Sequence, residues 1–208
     1  LAILGKDADS LSEAQAHKIP VLAKSERGLS VLRFFDLKTL EKKYKNLVNH
    51  RVSFANQSLL QKTLKEHISL ISELEISAEK AARLGDWSMQ IVSASLIEKQ
   101  YRVLAEILAE SPLPRGLDQR QKVQYHALVE NQVRKYERSA VELKERVENL
   151  WRKKTSLDDK AQFMAQQPLQ ARRLFVGEFY WLSEVAPSGH IKRYLRDIWD
   201  DINMPLSA

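Results

Sequence analysis

From Ala55 to Leu84 the chain runs without a glycine or a proline, and Leu60, Leu64, His67, Ile71, Leu74, Ala78 and Ala81 fall along it at spacings alternating between four and three. Only an α-helix brings residues at those spacings back to one face. A stripe that narrow is a seam, and a seam has to be covered by another helix. The pattern recurs from Trp87 to Glu110, where Ala94, Ile97, Tyr101, Leu104 and Leu108 step by three and four, and Pro112 and Pro114 end the segment. It recurs again from about Asp118 to Lys154 through Val129, Val133, Tyr136, Ala140, Leu143, Val147 and Leu150. That third helix is roughly 55 Å long at about 1.5 Å per residue.

Between the first two segments, Leu84-Gly85-Asp86-Trp87 supplies a stop and a restart, because glycine suits the position after a helix end and aspartate suits an N-cap. Short joints force neighbouring helices to run antiparallel, so the three seams are expected to close on one another. Asp36 reads as the N-cap of a further helix over Leu37 to Arg51, carrying Leu40, Tyr44, Leu47, Val48 and Val52. Residues 1–35 read as a loosely ordered lead-in, 36–156 as the long-helix array, and 157–208 as a C-terminal helical pair packed on it. One member of the pair starts at Pro168 and carries Ala171, Phe175, Phe179 and Leu182; the other follows Pro187-Ser188-Gly189. The expected fold is therefore all-α, an elongated antiparallel hairpin or solenoid-like array with a smaller C-terminal pair.

Composition narrows the chemistry. The absence of cysteine removes disulfides, thiol nucleophiles and thiolate metal sites together. No stretch approaches the roughly 18 apolar residues of a membrane span. The chain opens on Leu1, which reads as a processed or excised start. His17, His50, His67, His126 and His190 are dispersed, with no second histidine three to five residues away, so no metal and no cofactor is expected. Asp7-Ala8-Asp9-Ser10 opens like a calcium loop but lacks its later Gly and Glu, and reads as a solvated turn. There is no phosphate-binding glycine loop and no strand-turn-helix context for a nucleophilic serine. His67 sits on its helix seam and reads as a core histidine.

The chain carries 33 Lys+Arg against 27 Asp+Glu, a net charge of +6. Arg152-Lys153-Lys154, Arg172-Arg173 and Lys192-Arg193-Arg196 interleave with aromatic residues in the last third. Phe175, Phe179, Tyr180 and Trp181 cannot all be hidden on one helix face, so Tyr180 or Trp181 is expected toward the flank. Arg172, Arg173, Tyr180, Trp181 and Lys192 are accordingly the candidate partner-binding residues, being of the types that binding hot spots favour. No catalytic residue is assigned.

Ala82-Arg83-Leu84-Gly85-Asp86-Trp87 resembles the turn between the two helices of a tetratricopeptide repeat. Ser111-Pro112-Leu113-Pro114-Arg115-Gly116-Leu117, followed by Tyr125, Leu128, Tyr136 and Ala140, resembles the tail segment of large tetratricopeptide-repeat proteins of the bacterial envelope and gliding machinery. The likeness covers about residues 55–154. It departs from the ordinary repeat in its second helix, since Pro112 lies 112 − 85 = 27 residues after Gly85 where the family usually has about sixteen. The resemblance implies a helical protein–protein interaction scaffold in a bacterial envelope assembly, with the periplasm or envelope favoured over the cytoplasm and no catalytic residues to carry over. The alternatives from other classes are a nucleic-acid or anionic-surface binder using the basic groups, and an enzyme built on a helical superhelix.

Overall fold

A computed structural model describes residue 18 and residues 24–83, 86–152, 157–167 and 169–203. These form seven helices: α1 Glu26–Asn49, α2 Gln57–Ala82, α3 Trp87–Ala109, α4 Gln119–Arg152, α5 Leu157–Ala165, α6 Leu169–Glu184 and α7 Gly189–Asn203. No strand occurs among the described residues, so the fold is all-α. The Asp7–Ser10 turn, Leu84, Gly85, Lys153, Lys154 and Pro168 lie outside the described residues.

Side-chain caps fix where the helices begin. Ser25 accepts from the Gly28 amide at 3.1 Å to start α1, and Asn56 accepts from Leu59 at 2.9 Å to start α2. Asp86 caps α3 through the Ser88 and Met89 amides. Ahead of α4, Asp118 and Gln121 cap each other, the Gln121 amide donating to the Asp118 carboxylate at 2.8 Å and the Asp118 amide to the Gln121 side chain at 3.0 Å. Gly116, at φ 84°, provides the left-handed turn that leads into it.

Two boundaries differ from the sequence expectation. α1 begins at Glu26, so Asp36 is not an N-cap; it is buried in mid-helix with Lys80 of α2 3.9 Å away. Residues 26–35 are helical, and Val31, Leu32 and Phe35 form a small apolar cluster of their own. The C-terminal part holds three helices rather than two, because α5 precedes the expected pair.

Helices α1 to α4 pack as successive antiparallel neighbours. Lys43 pairs with Glu73 between α1 and α2, and the Tyr101 hydroxyl of α3 donates to Glu75 of α2. Tyr101 lies 5.6 Å from Tyr136, and Trp87 lies 6.0 Å from Trp151, between α3 and α4. α6 lies against both α1 and α3, and α7 covers α6. Gly177 permits the close approach of α6 to α1, since a Cβ there would stand 3.2 Å from Leu37 Cδ2. One apolar cluster runs through the array and the C-terminal helices, from Leu37 and Leu74 through Met89 and Leu104 to Phe179 and Leu195.

Candidate functional site

The five residues selected from the sequence do not come together. Arg172 donates to the carbonyls of Ala165, at 2.6 Å, and Gln167, at 2.9 Å, and so closes the end of α5. Lys192 sits at the other end of α6, 3.4 Å from Glu184, which also holds Arg196 at 3.1 Å. Tyr180 is exposed, as one of the two flank aromatics was expected to be. Trp181 is only 9% exposed and stacks edge-on against Tyr44 at 5.6 Å, so it belongs to the core and not to a docking patch. The side chain of Arg173 lies outside the described residues. Arg152 is paired with Glu148. Several of the basic groups that suggested phosphate binding are thus already engaged within the chain.

The structure instead assembles a buried ionic cluster that the sequence reading missed. Arg33 of α1, Asp86 and Ser88 at the start of α3, Lys160 of α5 and Glu178 of α6 converge on one point. Lys160 Nζ lies 2.9 Å from Asp86 Oδ2 and 2.8 Å from Ser88 Oγ, and it pairs with Glu178. Arg33 lies 3.4 Å from Asp86 and 3.9 Å from Glu178. The Ser88 hydroxyl is shared between the two carboxylates. Trp87 roofs the ammonium, its ring centre 5.7 Å from Nζ. Two cations balance two anions, which is what burial of charge demands. Burial alone would raise the Asp86 carboxyl; Lys160, the Ser88 hydrogen bond and Arg33 outweigh it and hold it below the ordinary carboxylate range.

A serine hydroxyl 2.8 Å from a lysine amine has the spacing of a nucleophile and its base. Here the lysine is clasped by two carboxylates and its Nζ donates to Ser88, so it is placed to hold that hydroxyl and not to take its proton. Ser88 is also fully buried, out of reach of any substrate. The cluster is a clamp that ties α5 and α6 to α1 and α3. A signal for it does exist in the sequence. Lys160 falls in register with Leu157 and Met164, and Glu178 with Phe175 and Leu182, so each is a charge on an apolar face.

A cleft of about 370 Å³ opens between α2 and α4 and above α3. Its floor is made of Gln90, Ser93, Ala94 and Ile97 of α3; Ala78 and Ala82 of α2 and Leu143 of α4 form its apolar walls. Small residues at these positions are what keep it open. Glu75, Glu79 and Arg83 edge it on one side and Arg146 on the other. Ser93 is 3% exposed, and its hydroxyl has no hydrogen-bond partner among the described residues. Arg83 is engaged by Glu79 at 2.6 Å, whereas Arg146 makes no ion pair to a described residue. Such a surface offers an apolar slot with charged rims to an incoming chain. Among the described residues no group of three or more His, Asp or Glu side chains is placed to hold a metal, and no helix is long and apolar enough to cross a membrane. No family model matches the chain, and comparison with curated proteins and with solved structures likewise returns no match.

Proposed function

We propose that this protein is a non-enzymatic protein–protein interaction scaffold, and that its partner is a polypeptide segment seated in the cleft between α2 and α4. The observation that carries this reading is the cleft itself, with its small-residue floor, its apolar walls and Arg146 at the rim. The ionic clamp supports the reading by fixing the start of α3, the helix whose following turns form the floor of the slot. The likeness of residues 82–87 and 111–117 to tetratricopeptide-repeat proteins supports the choice of a protein partner and of a bacterial envelope assembly as the setting.

A photoreactive amino acid at Ala82, on the cleft wall, is expected to cross-link one polypeptide in cells of the source organism. The same group at Lys62, exposed and far along α2, is expected to give no such adduct. Equal labelling from both positions, or none from either, would contradict the proposal.

A further inference from the structure

The joint between α1 and α2 holds two histidines face to face. His50 is the C-cap of α1, its amide donating to Asn46 and Leu47 carbonyls at 3.1 Å each. His67 lies on the buried face of α2 and is 2% exposed. The two Nδ1 atoms are 3.3 Å apart, a distance that accommodates a single proton between them. The His67 Nε2 is buried with no hydrogen-bond partner among the described residues, so the ring's one polar engagement is with His50. Glu66, on α2, stands 3.5 Å from His50 Nε2. Among the described residues, His50 is the titratable group that bears on His67. One turn earlier, the Thr63 hydroxyl accepts from the Ser53 amide at 3.0 Å and holds the connector to the same helix.

We propose that the His50–His67 pair is an acid-sensitive latch: with one proton between the rings the connector of residues 50–56 stays docked on α2, and a second proton releases it. Protonating both rings turns both Nδ1 atoms into donors pointing at each other, with no acceptor between them. It also puts a charge on a ring that is buried and has no partner for its second nitrogen. The inference stands independently of the docking proposal. Burial first, and His50 second, hold the His67 imidazole below its ordinary value near 6.5. A neutral group with a lowered folded-state value contributes stability that is present above about 6.5 and is lost as the pH falls through the folded value. Within that window the opening equilibrium of the joint rises by up to about tenfold per pH unit.

Amide hydrogen exchange on the whole chain between pH 7.5 and 5.0, corrected for the intrinsic pH dependence of exchange, reads this directly. The protected His50 and Ser53 amides report the joint, and the Arg83 amide, bonded to Glu79 and Lys80 carbonyls at the far end of α2, serves as the reference. The expected result is opening at His50 and Ser53 that increases several-fold on acidification while Arg83 stays constant, with a titrating His67 ring moving in step. The His67→Gln variant is expected to lose most of the slope, and His50→Gln, which leaves His67 buried but removes its partner, to lose part of it. A wild-type joint whose opening is flat over this range, or a slope in either variant equal to that of the wild type, would overturn the latch.

Discussion

Replacing Lys160 with methionine tests the clamp at its centre. The Lys160 side chain is 9% exposed, and its ammonium satisfies Asp86, Glu178 and the Ser88 hydroxyl at once. Methionine keeps most of the stem and removes the charge together with its N–H donors. Asp86 and Glu178 are then left facing the same hydroxyl with Arg33 as their remaining cation, 3.4 and 3.9 Å away. Breaking a buried ionic set by removing one member costs about 3 to 5 kcal/mol, because the desolvation of the remaining charges is no longer offset. For a chain of this size, at roughly 2 to 4 °C per kcal/mol, the melting temperature should fall by about 6 to 20 °C. Glu178→Gln alone should cost a comparable amount. The double variant should cost less than the sum of the two by at least about 1 kcal/mol, since the second change removes a charge that the first left unpaired. Urea unfolding followed by far-ultraviolet circular dichroism supplies all three values. A Lys160→Met variant within 1 kcal/mol of wild type, or strictly additive costs, would refute the claim that these charges depend on one another.

Three further outcomes follow from the same packing. Trp181→Ala should lose about 3 to 5 kcal/mol in urea unfolding, whereas exposed Tyr180→Ala should lose under about 1 kcal/mol; similar losses at both would return Trp181 to the surface. Asp86 contributes stability that is present above its ordinary value of 3.8 and lost as the pH falls through its lower folded value, so the stability gap between wild type and Asp86→Asn should shrink in acid melts. A gap that widens below pH 4 would contradict the sign of that shift. Gly116→Ala should cost about 1 kcal/mol by strain at φ 84°, even though a Cβ there meets nothing within 4 Å, and an unchanged unfolding midpoint would show that the turn relaxes.

The long helices were legible because seams repeat, and a stripe recurring over many turns leaves little freedom in type or extent. The Asp86 cap was legible for a local reason, its position just ahead of an apolar run. The start of α1 was misread because Asp36 combines the chemistry of an N-cap with a place in a longer pattern; the residue is buried opposite Lys80, and only that pairing across helices reveals its role. α5 is too short for its period to stand out, and its lysine in an apolar register acquires meaning only when Glu178 arrives from α6. The cleft left no mark in the sequence beyond alanines and a serine, since small residues record an absence of packing that has no period of its own.

The central claim is that the cleft between α2 and α4 receives a polypeptide, and calorimetric titration tests it most directly. The segment cross-linked from Ala82, synthesised as a free peptide, should bind the wild-type protein with a measurable dissociation constant. Ala82→Trp, which fills the wall of the slot at a half-buried position, should weaken that binding at least about tenfold, a loss of roughly 1.4 kcal/mol, with circular dichroism and melting temperature unchanged. Equal affinity for the wild type and for a well-folded Ala82→Trp protein would contradict the account.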